Sequence, residues 1–486
     1  MQNKPQPKLT ISGYRGIWGE SLTNEIVENY TKAFAKFVQE DINKNPTILI
    51  GRDGRESGPE IKEIIKKTLK ELNIKFIDGD ILPTPTVLFS VKNNKYDGAI
   101  IITASHNPIE YNGLKFVNNK ALFVSQEEVE KIKENYEEIQ QKTSVLKNIF
   151  GKDVALERLG RLSSRARGIF QQKNIRALQS NNLSKDIFVL PQQHADQILK
   201  HINVDAIKAK KFKVAVDMIN ASACVLDPYL FEKLGVELVP LNNIPNGKFA
   251  HRPEPLRENL EDIGNLVREK HCDLGFAHDP DADRLVIINE KGEVVFEEYT
   301  LAFGVEAILS KNPHNKVVIN MSTSQMNKDI ALKYGGTCIH TKVGEANVVA
   351  GIIKNNAIIG GEGGGGIIYP TINMARDSFV SLALILELLA ERNQTVSECI
   401  ETLPKYEMKK DKMPINGDLN EIYSKMKNHF SEAKINEEDG LRLDFPDNSW
   451  LQLRPSNTEP IIRLFGEAKT KERIEELFRE AGLLIR

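Results

Sequence analysis

Short apolar runs that alternate with amphipathic stretches constrain the fold of this chain more than any other feature. Thr47-Ile48-Leu49-Ile50, between Pro46 and Gly51, reads as a buried strand. Glu60 to Leu72 follows with apolar residues at helical spacing, and Lys75-Phe76-Ile77 reads as the next strand. A strand–helix–strand unit of this kind pairs its strands in parallel. Further strands are expected at Lys213-Val214-Ala215-Val216-Asp217, Leu285-Val286-Ile287-Ile288 and Lys316-Val317-Val318-Ile319-Asn320. From about Lys405 the texture changes. Strands at Trp450-Leu451-Gln452-Leu453 and Ile461-Ile462-Arg463-Leu464 precede a closing helix around Thr470 to Leu483, which suggests a smaller α+β domain. At 486 residues the chain exceeds what one core holds, so several domains are expected.

Charge and cysteine content narrow the function classes. A formal net charge of −2 gives no reason to expect nucleic-acid binding. Cys224, Cys272, Cys338 and Cys399 are scattered, without metal-ligand spacing, and read as reduced thiols. Met1 to Lys8 holds charge and prolines but no apolar signal core, and no apolar run approaches a membrane span. A cytoplasmic protein with no membrane partner is the expectation.

Four motifs carry chemistry. Thr103-Ala104-Ser105-His106-Asn107-Pro108, followed by Asn112-Gly113-Leu114-Lys115, sets a serine hydroxyl at a bend beside a histidine and a lysine. Serine needs such a base or cation to act as a covalent carrier. His278-Asp279-Pro280-Asp281-Ala282-Asp283-Arg284 offers three alternating carboxylates without the glycine and distant glutamate of a calcium loop. Hard oxygen ligands suit Mg²⁺ or Mn²⁺, and Arg284 adds a fixed cation for a phosphoryl oxygen. Arg454-Pro455-Ser456-Asn457-Thr458, with Arg463 beyond, reads as an anion clamp of guanidiniums, hydroxyls and an amide. Gly360-Gly361-Glu362-Gly363-Gly364-Gly365-Gly366 reads as a flexible backbone around one carboxylate that can accept from sugar hydroxyls.

Together these motifs resemble the signature loops of the α-D-phosphohexomutases: phosphoserine, metal, sugar and phosphate loops, in that order. Ile11-Ser12-Gly13-Tyr14-Arg15-Gly16, Gly51-Arg52-Asp53 and Leu82-Pro83-Thr84-Pro85-Thr86 also resemble family segments, as does the substrate loop Val343-Gly344-Glu345. Lys248-Phe249-Ala250-His251 with Pro253-Glu254-Pro255 is similar to the phosphoglucosamine mutase-like branch. One departure stands out. Where other branches carry Ser and His, this chain has Gly364 and Gly366, and the nearest branch usually has Asn at the first of these positions.

The resemblance implies an α/β fold: three related αβ domains with mixed or parallel sheets, plus a smaller C-terminal α+β domain, around a central cleft. It implies domain I at 1–150, a basic linker or insertion at 151–190, domain II at 191–298, domain III at 299–403 and domain IV at 404–486. It further implies a mutase that interconverts hexose 6-phosphate and hexose 1-phosphate through phospho-Ser105 and a hexose 1,6-bisphosphate. Glucosamine phosphate leads, glucose or mannose phosphate is the alternative, and a metal-dependent sugar phosphatase is the remoter one.

Catalytic roles fall on Ser105, His106, Lys115, Arg15 and Arg284, with Lys115 moving the hydroxyl proton. Mg²⁺ is expected on phospho-Ser105, Asp279, Asp281 and Asp283, with hexose 1,6-bisphosphate as activator. Val343, Gly344, Glu345, Glu362 and Gly364 are expected to meet the sugar, and Arg454, Ser456, Asn457, Thr458 and Arg463 its phosphate. The implied partner is a small phosphosugar, and the assembly a monomer or homodimer. One segment stands apart: Arg158, Arg161, Arg165, Arg167, Lys173 and Arg176 have no acidic residue among them. It is expected to be a solvated linker or helical insertion, with a phosphate-contacting basic surface as the alternative.

Overall fold

The computed structural model describes residues 8–150, 189–415, 417–455 and 461–485. The basic segment 158–176 and the clamp residues Ser456, Asn457 and Thr458 lie outside the described residues.

Four sheets are present. The first holds β1 (Tyr14–Ile17), β2 (Thr47–Arg52), β3 (Lys75–Ile81), β4 (Gly98–Ile102) and β5 (Tyr111–Asn118), in the order β1-β5-β4-β2-β3. The second holds β6 (Lys213–Asp217), β7 (Glu237–Leu241), β8 (Leu274–His278) and β9 (Leu285–Ile288), ordered β7-β6-β8-β9. The third, of β10 (Lys316–Asn320), β11 (Thr337–Thr341), β12 (Ile359–Glu362) and β13 (Gly366–Ile368), is ordered β11-β10-β12-β13.

These sheets repeat one topology. In each, a central strand pairs in parallel with two neighbours, and the last strand runs antiparallel to the third. The parallel pairing inferred from strand–helix–strand alternation therefore holds for three strands of each repeat, while the fourth folds back as a hairpin. The fourth sheet differs: β14 (Glu407–Pro414), β15 (Lys434–Asn436), β16 (Leu441–Asp444), β17 (Trp450–Pro455) and β18 (Ile461–Ala468) pair antiparallel throughout. The closing helix, Lys471–Ile485, covers one face of it through Ile474, Leu477, Phe478 and Ala481.

Strand composition explains this layering. β4 and β8 are buried along their whole length and carry near-continuous apolar runs, as strands covered on both faces must. The second and third repeats share one apolar interior that includes Phe276, Leu285, Leu301, Phe303, Val317, Ile319, Ile359 and Phe379. Among the described residues no helix is long and apolar enough to cross a membrane. All four cysteines are free.

The repeat positions the chemistry. In each of the first three sheets the connection into the last strand carries a motif: 103–110 between β4 and β5, 279–284 between β8 and β9, and 363–365 between β12 and β13. One structural slot thus presents the serine, the carboxylates and the sugar-loop glycines.

Candidate active site

The serine loop is held by a buried guanidinium. Arg55, wholly enclosed, donates through Nη2 to the carbonyls of Ser105 and Asn107 (both 2.7 Å) and through Nη1 to those of Pro108 (2.6 Å) and Tyr111 (2.8 Å). Its Nε pairs with Asp53 at 3.1 Å. The Asp53 carboxylate also accepts from Thr103 Oγ1 (2.7 Å), which in turn accepts from the Ser105 amide (2.9 Å). This network holds Ser105 at φ +53°, a left-handed conformation that a non-glycine residue keeps only when its surroundings over-determine it. Ser105 Oγ lies 3.3 Å from His106 Nδ1 and 3.5 Å from Asp279 Oδ2. Burial and the nearby Arg284 and Arg15 guanidiniums push the His106 imidazole down to about 2, so the ring is neutral. Arg15 Nη1 donates to Asn107 Oδ1 (3.1 Å), tying the first strand to the loop.

Opposite the serine, Asp279, Asp281 and Asp283 are all buried, with one oxygen of each within 4.8 Å of the others. Asp279 Oδ1 accepts from the amides of Asp283 (3.0 Å) and Arg284 (3.1 Å), which closes the loop on itself. Asp281 Oδ2 accepts from Lys115 Nζ (2.7 Å) and Thr84 Oγ1 (2.8 Å), and Asp283 Oδ2 from Arg376 Nη2 (2.5 Å). The remaining oxygens, Asp281 Oδ1 and Asp283 Oδ1, are buried without a hydrogen-bond partner. Burial and the charges of Asp283 and Asp281 raise the Asp279 carboxyl well above its usual range. Against the pull of burial, Lys115 and Thr84 hold Asp281 below that range. Clustered carboxylates with two orphaned oxygens fit a divalent cation with hard oxygen ligands.

The metal loop is braced from behind. Ser378 Oγ donates to the carbonyl of Ala282 (2.6 Å) and sits 2.9 Å from His278 Nδ1. Arg284 lies 3.8 Å from Glu254, whose other neighbour is His106 at 4.0 Å. A cavity of about 480 Å³ opens there, lined by His106, Phe249, His251, Pro253 and Glu254 among others.

The glycine-rich loop is not the free backbone its composition suggests. Gly360 and Gly361 lie in β12 and Gly366 in β13, and close packing sets the requirement for glycine. A Cβ on Gly360 would stand 2.4 Å from the Val318 carbonyl, and one on Gly363 2.0 Å from the Glu298 carboxylate. Gly364 differs, because a Cβ there meets nothing closer than Arg284 at 3.9 Å. Glu362 Oε1 accepts from Asn320 Nδ2 (2.8 Å) and from the Gly344 amide (3.0 Å), which draws the substrate loop to the sugar loop. Glu345 accepts from both the backbone (2.9 Å) and Nε (3.1 Å) of Arg376. The Val343 amide donates to Asp439 Oδ2 (2.8 Å), and Asp439 Oδ1 accepts from Arg454 Nε (3.0 Å). Arg454 faces Arg463 across the β17–β18 ladder, and Arg463 Nε is buried without a hydrogen-bond partner among the described residues.

The structure thus gathers Ser105, His106, Lys115, Arg15, the three aspartates and Arg284 around one point. Glu345 and Glu362 join them through Arg376, and Val343 and Arg454 through Asp439. Motif reading missed Arg55, Arg376 and Asp439, none of which lies within a recognisable chemical motif, and it gave no role to Thr84, which lies in the family-like segment Leu82 to Thr86. Lys410 bonds Glu297 (2.8 Å) and the buried Glu298 (3.3 Å) of the third domain. Burial of Glu298 leaves a carboxylate that needs this cation.

The class defined by fold and site is a phosphosugar mutase, an intramolecular phosphotransferase of four αβ domains. Models of the phosphoglucomutase/phosphomannomutase family match in series: α/β/α domain I at residues 7–143, domain II at 192–292, domain III at 297–406 and the C-terminal domain at 412–481. The chain belongs to that family, the α-D-phosphohexomutases. A phosphoglucomutase/phosphomannomutase of Thermococcus kodakarensis is 32% identical over 474 residues, covering 97% of this chain and 96% of the relative. A phosphoglucosamine/phosphogalactosamine mutase of Sulfurisphaera tokodaii is 30% identical over 483 residues, covering 97% and 98%. The crystal structure of a family protein from Burkholderia thailandensis shares the fold, with a TM-score of 0.77, 24% identity and coverage of 98% and 97%.

Proposed function

We propose that this chain interconverts hexose 6-phosphate and hexose 1-phosphate through phospho-Ser105 and a hexose 1,6-bisphosphate, with glucosamine phosphate as the leading substrate. One observation carries the reading: a buried serine in a left-handed turn, 3.5 Å from an aspartate of a triad that has two unpartnered buried oxygens. A phosphate on Ser105 Oγ would enter that triad directly. Asp279, Asp281 and Asp283 would hold Mg²⁺, which supplies neutralising charge to phosphoryl oxygens when bound. A solved N-acetylphosphoglucosamine mutase of Aspergillus fumigatus that shares the fold (TM-score 0.53, 14% identity) is described in complex with GlcNAc-6P and magnesium.

The residues divide the work. Arg454 and Arg463, with Ser456, Asn457 and Thr458, take the phosphate already on the sugar. Glu345 and Glu362 receive its hydroxyls. The free hydroxyl attacks the phosphorus of phospho-Ser105, its proton passes to Lys115 once that amine has released its own, and the bond from phosphorus to Ser105 Oγ breaks. Arg284 and Arg15 meet the charge that spreads over the transferring oxygens. Neutral His106 lies beside Ser105 and adds no charge there. The bisphosphate then turns over and returns its other phosphate to Ser105, so one clamp serves both ends. Hexose 1,6-bisphosphate from solution would prime the serine.

The amino-sugar assignment rests on named relatives: the Sulfurisphaera tokodaii enzyme and a phosphoglucosamine mutase of Methanocaldococcus jannaschii, both 30% identical. The 32% identical Thermococcus kodakarensis relative favours glucose or mannose phosphate as the second reading. Turnover of purified protein on glucosamine 6-phosphate, glucose 1-phosphate and mannose 1-phosphate, with Mg²⁺ and the matching bisphosphate, tests the assignment. A preference for the amino sugar is expected. Comparable rates on glucose and mannose phosphates, with none on glucosamine phosphate, would replace it with the second reading.

A further inference from the structure

Arg376 occupies a position that no chemical motif marks. It follows β13, directly before Asp377, whose carboxylate caps the helix Ser378–Arg392 by accepting from the amides of Phe379 and Val380. That cap fixes the backbone from which Arg376 turns inward, and the side chain is almost fully enclosed. Its donors reach three acidic residues from three parts of the chain. The amide and Nε take the two oxygens of Glu345, Nη1 lies 3.4 Å from Glu362 Oε2, and Nη2 bonds Asp283 Oδ2 at 2.5 Å. A planar fork with fixed donor directions can hold several carboxylates in one geometry, which a lysine ammonium cannot.

The space for this side chain comes from Gly366. A Cβ at that position would lie 2.3 Å from Arg376 Cδ, 2.8 Å from its Cγ and 3.1 Å from its Cβ, the three nearest atoms. No other group limits the site as closely. Gly366 is thus the vacancy into which the arginine folds.

We propose that Arg376 is a positioning residue for sugar recognition: it sets Glu345 and Glu362 for the sugar hydroxyls, and Gly366 is glycine to admit it. This rests on the mutase reading above. Without the guanidinium Glu345 loses its Nε donor and both glutamates lose their shared cation, which leaves Glu362 on Asn320 and the Gly344 amide, while the serine loop and its Arg55 scaffold stay in place. Sugar affinity therefore falls more than the rate of phosphoryl transfer.

A double-mutant cycle tests this, with kcat and KM measured on whichever of the three hexose phosphates the wild type turns over fastest. Arg376→Ala should raise KM about 10-fold or more, as loss of charged hydrogen bonds does, with a smaller change in kcat. Gly366→Ala should raise KM similarly, because its methyl would stand 2.3 Å from Arg376 Cδ. The double variant should come close to Arg376→Ala, because of the three atoms the methyl crowds only Cβ, at 3.1 Å, remains. A folded Gly366→Ala with wild-type KM, or losses that multiply in the double variant, would overturn the assignment. Circular dichroism reports folding, and where Arg376→Ala fails to fold, Arg376→Lys takes its place. An intermediate KM is then expected, and a wild-type KM overturns the proposal. A wild type inactive on all three sugars would instead defeat the parent reading.

Discussion

The two ends of the site are built in different ways. At the serine end, contiguous motifs carry the reacting groups, and a single buried arginine, Arg55, ties four carbonyls of the loop into one conformation. At the sugar end the reacting carboxylates come from separate loops and are aligned by ion pairs that converge on Arg376. The first construction resists change, as transfer chemistry requires of groups that must meet within about 0.5 Å. The second rests on charges that a few substitutions can rearrange. Substrate choice can therefore drift within a family while the serine and metal loops stay recognisable.

The comparison breaks most visibly at the metal loop. Asp281→Asn removes the negative charge that Lys115 pairs with and weakens a candidate cation ligand, and should lower kcat by at least about 10²- to 10³-fold at saturating Mg²⁺. A wild-type rate would show that the triad does not serve the reaction. Next in size is the scaffold. Arg55→Met leaves Asp53 buried without its ion pair and strips the loop of its donors, a change worth about 3–5 kcal/mol. Thermal unfolding should register the loss, and turnover should fall with it. An unchanged melting temperature would mean that the loop holds itself.

A third substitution sharpens the contrast from outside the site. Glu467, on β18, accepts from Ser324 Oγ, from the Gln325 amide (2.8 Å) and from Trp450 Nε1 (2.9 Å), joining the third and fourth domains. Burial, with Glu298 nearby, pushes its carboxyl up to about 7 from 4.5. Between these values the folded chain holds a proton that the unfolded chain has released. The contribution is therefore complete below pH 4.5 and is lost as pH rises through about 7. Glu467→Gln should flatten the pH dependence of stability across that window by up to about 3 kcal/mol. Parallel stability curves for wild type and variant would contradict the assignment. The smallest effect belongs to Gly364→Ser. Its side chain enters open space beside Arg284, so melting should not change, and preference among hexose phosphates should shift by less than about 10-fold. A loss of folding there would mean that the sugar loop is as tightly packed at 364 as at 363.

What could be read without coordinates follows the same division. Ser105 with His106, and the aspartates at 279, 281 and 283, share short stretches whose residue types announce their chemistry. The αβ repeats were legible because buried strands carry unbroken apolar runs. The fold-back of each fourth strand was not, since an apolar run does not state its direction. Arg376 bonds a residue 93 positions away, and Arg55 reaches carbonyls 50 to 56 positions away. An arginine in an ordinary stretch gives no sign of such partners. Glycines 360 to 366 suggested flexibility, whereas neighbouring backbone and side chains crowd all but Gly364.

The central claim is that Ser105 carries the phosphoryl group between the two ends of a hexose phosphate. The most direct measurement incubates the purified full chain with Mg²⁺ and glucose 1,6-bisphosphate labelled in both phosphates. The label on the protein is located by peptide mass, and the labelled protein is then chased with unlabelled hexose monophosphate. The account predicts label on Ser105, its transfer to the sugar during the chase, and neither event in Ser105→Ala. Label on another residue, or turnover by Ser105→Ala at the wild-type rate, would contradict it.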